Sequence, residues 1–287
     1  RARAAARERA AGCRARAGAA NHQSGGPAAG LGCGVKKSGG YDLGLIFCPG
    51  GAKATAVFTT NKIVSAAVSV CKQHIKSRSI YAVIVNSGNA NTCTGRQGHK
   101  DALKMCAKTA DSINEIRDTK YEPRNVLVAS TGIIGRPLPI TKITAGIEKA
   151  AVRLLPSAIA GLDFAKAIMT TDTRPKQAIR KLNISGKKIT IAGAVKGAGM
   201  IAPNMATTLC FITTDIAISK PLLSAALKAA IGNSLNKLTV DGHQSTNDTA
   251  IILASCRAGN KPLKKQVPAF KKFTAALSDL CEDLARR

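Results

Sequence analysis

The chain has 287 residues, enough for one large domain or two ordinary ones, and 45% of them are hydrophobic, which suits a globular core. With 3% aromatics and no Trp, that core must be built from small aliphatic side chains. The formal charge of +27 favours anionic partners, but the basic residues are scattered without interleaved aromatics and no helix-turn-helix or zinc-finger spacing occurs, which argues against a nucleic-acid reader.

Nine cysteines include no C-x-x-C pair, and the four histidines form no H-E-x-x-H pattern, so neither a structural zinc site nor a zinc hydrolase is expected. Without a secretory leader, the thiols read as reduced and buried in a cytosol-like compartment. No apolar run is long enough to cross a membrane.

Residues 1–30 carry six Arg and one acidic residue among Ala and Gly, with no apolar period. They read as a disordered basic leader. Their Arg-rich, acid-poor character is that of an organelle transit peptide, and translated upstream sequence is an equal alternative because the chain opens on Arg1. Tyr41 to Cys48 is predicted as a first strand, closed by a turn at Pro49-Gly50-Gly51. Ala56 to Thr60 and Ile63 to Val70 follow as short strand candidates.

Tyr81 to Val85 is an apolar strand that empties into Asn86-Ser87-Gly88-Asn89-Ala90-Asn91, a loop dense in side-chain amides. Leu103, Cys106, Ala107 and Ala110 recur at helical spacing, predicting a helix over Lys100 to Ile113. Val126 to Ala129 is then a strand leading into Ser130-Thr131-Gly132. A hydroxyl and a glycine N–H leaving a strand together can aim two donors at one oxygen, as an oxyanion hole requires. A helix over Ile140 to Leu155 follows, then a polar turn at Met169-Thr170-Thr171-Asp172-Thr173, and a strand over Ile189 to Ala194 that carries the chain to Lys196. A lysine there is ordinarily a solvated surface charge.

Gly197-Ala198-Gly199 bends freely and Pro203 fixes one dihedral, so this loop can present a bent Ala206-Thr207 peptide. Thr208 to Thr214 reads as a buried strand. A threonine hydroxyl becomes a competent nucleophile when the chain cuts itself in front of it and the new α-amine serves as base. On these residues alone, an ordinary turn with Thr207 opening a strand is the plainer reading. Leu222 to Leu235, begun by Ser219-Lys220-Pro221, and Phe270 to Leu284 are predicted helices.

Lys196 to Ile201 with Pro203 to Thr207 resembles the self-cleaving site of the ornithine acetyltransferase family, the bifunctional glutamate N-acetyltransferases of arginine biosynthesis. Five further stretches match that family in order: Val57 to Asn61, Val85 to Asn91, Ala129 to Gly135, Met169 to Thr173, and Thr239 to Gly242 with Ser245 to Thr249. The resemblance runs from about Gly32 to the chain end.

It implies a layered α/β sandwich, with β-sheets between helices, of the self-cleaving threonine-nucleophile type. It also implies cleavage between Ala206 and Thr207 into regions 31–206 and 207–287, followed by assembly as an α/β heterotetramer. Thr207 would then carry acetyl from N-acetylornithine to glutamate, with Thr131 and Gly132 stabilising the oxyanion. Thr170 and Lys196 would bind substrate. No metal or cofactor is needed; some members also use acetyl-CoA, which is left open as a co-substrate here. The setting implied is the cytoplasm, or an organelle if the leader is a transit peptide.

Three departures stand out. Thr208 replaces the usual Met, and His243-Gln244 replaces Asp-Thr. The family also continues beyond Arg287 with substrate-binding Glu, Asn and Thr, so a C-terminally truncated enzyme is expected. Two rival readings stay open: a self-processing aminopeptidase of similar fold, and a basic nucleic-acid-binding protein.

Overall fold

The computed structural model describes residues 26–200 and 208–287. Among these, eight strands form a sheet system ordered β4-β3-β2-β8-β7-β6-β5, with β1 paired to β2. The strands are β1 (Ala28–Leu31), β2 (Leu43–Phe58), β3 (Ile80–Asn89), β4 (Val126–Ile133), β5 (Lys176–Ile184), β6 (Lys187–Lys196), β7 (Leu209–Thr214) and β8 (Thr249–Ala254). The β3–β4 and β7–β8 pairs are parallel; the others are antiparallel. Six helices flank them: α1 (Ala66–His74), α2 (Gly95–Arg117), α3 (Ile140–Val152), α4 (Ala158–Ala167), α5 (Lys220–Asn233) and α6 (Pro268–Arg286).

Successive strand side chains point to opposite faces, and that alternation sorts the core into three layers. In β3, Ala82 and Ile84 pack with Met105 of α2 and Ile143 of α3, whereas Val83 and Val85 face the other way. In β7 and β8, Cys210, Ile212, Ala250 and Ile252 pack with Leu223 of α5 and Phe273 of α6, whereas Leu209, Phe211, Ile251 and Leu253 join Val83 and Val85. The two halves of the sheet system therefore share an inner core, and helices cover both outer faces. This is the layered α/β sandwich expected from the resemblance. With few aromatics to spend, the inner layer relies on small side chains around Phe164 and Phe211, whose rings meet edge to face at 5.5 Å.

Strand β2 crosses between the halves. Its first part pairs with β3 from Leu43↔Asn86 to Phe47↔Ala82, and its second part pairs with β8 from Lys53↔Ala254 to Phe58↔Thr249. The expected turn at Pro49-Gly50-Gly51 is instead an irregularity inside one long strand. Gly51 sits there at φ +75°, and a Cβ on it would lie 2.0 Å from Ser79 Oγ. The bulge re-aims β2 from one sheet half to the other, so the two predicted strands are one.

Other corrections have local causes. The candidate strand Ile63 to Val70 is largely helix α1, because Ser65 Oγ caps it by accepting the Val68 N–H at 3.2 Å. The end of the leader expected over residues 1–30 is instead structured, since Ala28–Leu31 is strand β1 and Ala29 and Leu31 are buried against β2. The rest of that leader, residues 1–25, lies outside the described residues. The regions on either side of residue 206 share one sheet system, in which β7 pairs with β6 on one side and β8 on the other. Of the described cysteines, Cys48, Cys71, Cys106, Cys210 and Cys281 are buried and unpaired, but Cys93 is exposed. Among the described residues, no helix is long and apolar enough to cross a membrane.

Candidate active site

Ala206 and Thr207 lie outside the described residues, so the site is read from the groups that surround the entry to β7. Thr208 is buried, and its N–H donates to Asp248 Oδ1 at 2.9 Å, while its carbonyl accepts the Thr249 N–H at 3.0 Å. The chain immediately after residue 207 is thereby pinned to the segment that opens β8. Thr59 holds that segment from β2's end: its N–H donates to the Asp248 carbonyl and its hydroxyl to the Ser245 carbonyl at 2.7 Å.

Lys196 ends β6 directly across from Leu209 in the ladder. It is only 3% exposed, so it is not a solvated surface charge. Burial lowers its pKa to about 8, against the fields of Asp172 and Asp248, which favour the charged form. Asp248 moves the other way: burial pushes its carboxyl up to about 7, opposed by the Thr208 N–H, the Ser245 hydroxyl and the Lys196 charge. Lys196, Gly197, Lys176 and Thr208 line one small cavity together with Leu284 and Arg287.

Thr170 is half-buried in a bend after α4. Its N–H donates to Asp172 Oδ2 at 3.2 Å, and the other oxygen of the same carboxylate accepts the Gly197 N–H at 2.8 Å and the Lys176 ammonium. Lys176 also donates to the Gly197 carbonyl at 2.8 Å. One buried carboxylate thus brings Thr170 and the residue following Lys196 together. Burial opposes its ionisation, but Lys176 and the Gly197 and Thr170 N–H groups outweigh that and hold Asp172 below the usual carboxylate range.

Thr131 and Gly132 belong to β4 rather than to a loop beyond it. The parallel register continues through Ser87↔Thr131 and Gly88↔Gly132 before shifting at Asn89, so Asn86 to Asn89 is likewise strand. Gly132 has φ +132°, and a Cβ there would lie 2.3 Å from the Gly88 carbonyl carbon, so only glycine fits. Thr131 is buried and Gly132 exposed, which leaves the glycine backbone open to a ligand beside a shielded hydroxyl. Ser87 Oγ donates to the Ala167 carbonyl at 2.6 Å, tying this strand end to the helix that precedes Thr170.

Sequence reasoning gives no role to Asn247, Asp248, Asp172 or Lys176. Three of these stand inside the stretches that match a family, and that is their only signal. Lys176 lies outside those stretches, and only the fold shows its contact with Asp172.

The ArgJ family model matches residues 27–287. The chain belongs to the ArgJ family. It is 44% identical over 259 residues to the arginine biosynthesis bifunctional protein ArgJ of Caldanaerobacter subterraneus subsp. tengcongensis, covering 90% of this chain and 62% of that relative. The chain therefore spans about three fifths of the length of that ArgJ relative. Among solved structures it is similar to the arginine biosynthesis bifunctional protein argJ from Bacillus halodurans, with TM-score 0.59 and 39% identity over 63% of this chain and 91% of that one. It is also similar to ornithine acetyltransferase complexed with ornithine from Mycobacterium tuberculosis, with TM-score 0.56 and 33% identity over 65% of this chain and 97% of that one. An aminopeptidase of the Ntn hydrolase fold from Ochrobactrum anthropi matches at 12% identity and TM-score 0.56 over 91% of this chain and 82% of that one. That likeness is one of fold alone.

Proposed function

We propose that this ArgJ-family chain is a self-cleaving acetyltransferase that moves acetyl from N-acetylornithine to glutamate in arginine biosynthesis. In the first stage the Thr207 hydroxyl attacks the Ala206 carbonyl, the Ala206–Thr207 C–N bond breaks, and water hydrolyses the resulting ester. This leaves a new carboxylate on Ala206 and a free α-amine on Thr207. In the second stage that amine accepts the hydroxyl proton as Thr207 attacks the acetyl carbonyl of N-acetylornithine. Negative charge develops on the acetyl oxygen, where the Thr131 hydroxyl and Gly132 N–H are the proposed donors. Ornithine departs with a proton on its amine, and glutamate takes the acetyl group in turn.

The observation that carries this reading is the joining, at the entry to β7, of Lys196, Asp248 and the Asp172 carboxylate that also holds Thr170. A buried ammonium with its pKa lowered to about 8 is suited to a substrate carboxylate, which would restore its favoured charge. Thr170 and Lys196 are the proposed substrate contacts. The chemistry calls for no metal or cofactor; acetyl-CoA is retained as a second acetyl donor to be tried. The two fragments are proposed to assemble as an α/β heterotetramer in a reducing, cytosol-like compartment, which the buried unpaired thiols support.

The test is acetyl transfer from N-acetylornithine to glutamate by the purified chain, beside hydrolysis of amino-acid amides and peptides. Transfer that is lost in Thr207→Ala supports the proposal. Release of amino acids from peptides, without transfer, would instead assign the chain to the aminopeptidase class.

A further inference from the structure

We propose that Asn247 is a positioning residue that reaches across the cleavage junction and fixes the strand end bearing Thr131 and Gly132. Asn247 Nδ2 donates to two backbone carbonyls, Ala90 at 2.7 Å and Ser130 at 2.8 Å. Its Oδ1 accepts the Thr92 hydroxyl at 2.8 Å and the Thr246 hydroxyl at 2.6 Å. Two carbonyls on one side and two hydroxyls on the other fix which way the amide points, and every hydrogen-bonding position of this buried side chain is used.

The Ser130 carbonyl is the informative contact. It lies in the same peptide plane as the Thr131 N–H, so holding that oxygen sets the orientation from which the Thr131 side chain projects and the Gly132 amide follows. Asn86 secures the other side of the same residue, accepting the Ser130 hydroxyl at 2.7 Å while donating to the Asn89 carbonyl at 2.9 Å. Asn86 and Ser130 both precede residue 206, whereas Asn247 follows it. Once the chain is cut, the oxyanion donors of one fragment are aimed by a side chain of the other. This role rests on the acetyl-transfer reading for its catalytic meaning, but the grip on Ser130 does not.

Two variants separate the possibilities. Asn247→Asp keeps an acceptor for Thr92 and Thr246 while losing the paired donors; Asn247→Ala removes both, and serves where the added charge beside Asp248 prevents folding. In the 287-residue protein, either variant is expected to speed amide hydrogen exchange at Thr131, whose N–H shares the Ser130 peptide plane, at least tenfold, with amides in β7 and α5 unchanged. Acetyl transfer is expected to lose about a hundredfold in kcat, with KM for N-acetylornithine within about threefold, the signature of lost oxyanion stabilisation. Unchanged exchange at Thr131 overturns the proposal whatever the activity. A wild-type chain that transfers no acetyl overturns the functional reading alone, and the exchange result still decides the role of Asn247.

Discussion

The Thr208 N–H donates to Asp248 Oδ1 at 2.9 Å, so the residue next to the proposed nucleophile is held by a carboxyl group that burial has pushed up to about 7. Asp248 is 1% exposed, and its ionised form is disfavoured in the fold.

That shift has a definite sign. Between the ordinary carboxylate value of 3.8 and about 7, the folded chain binds more protons at this site than the unfolded chain does, so this group's contribution to stability falls as pH rises through that window and levels off above it. In the variant Asp248→Asn, the side-chain amide oxygen would still accept the Thr208 N–H, and the group would no longer ionise. Thermal unfolding of the two proteins should therefore diverge with pH: the variant gains on wild type from about pH 4 to about pH 7 and holds its advantage at about pH 8. A constant difference in Tm across that range would contradict the assignment.

Asp172 behaves oppositely. Its folded pKa is depressed, so its stabilising contribution is present above the ordinary carboxylate value and disappears as pH falls through the lowered one. Asp172→Ala leaves the Lys176 ammonium without its carboxylate and two N–H groups without their acceptor. Breaking a buried pair from one side costs about 3 kcal/mol, to be read from urea unfolding at about pH 7. The cost should shrink below about pH 4, where the wild-type carboxylate also takes up its proton.

Gly132, itself a candidate oxyanion donor, and Gly135 three residues on separate crowding from backbone preference. Gly132→Ala would drive a Cβ to 2.3 Å from Gly88 backbone and force β3 and β4 apart. Gly135→Ala, at φ +79°, meets nothing within 4 Å and bears only the conformational penalty, about 1 kcal/mol. The first variant should lower Tm well beyond the second, and only the first should abolish acetyl transfer.

The outer architecture is more legible in the sequence than the site is. Helices α2, α3, α5 and α6 declare themselves through apolar spacing, and Ser219-Lys220-Pro221 marks the start of α5, with Ser219 as its cap. Strand β2 is hidden because Pro49-Gly50-Gly51 has the composition of a turn, and only pairing with two different neighbours keeps such a segment extended. Ser130 to Gly132 and Asn86 to Asn89 read as loops for a similar reason. Their polar, small side chains carry no strand signature, and it is the parallel pairing between them that makes them strand. Asp248 and Asn247 act on residues 40 to 157 positions away, a relation that one sequence cannot display.

Self-cleavage is read most simply from the denatured intact mass of the purified chain beside Thr207→Ala. Two fragments are expected from the wild-type chain, one ending at Ala206 and one beginning at Thr207, with a single uncut chain from the variant. A wild-type chain that stays whole, or a variant that is cut at the same bond, would contradict the claim that Thr207 is the nucleophile of this protein.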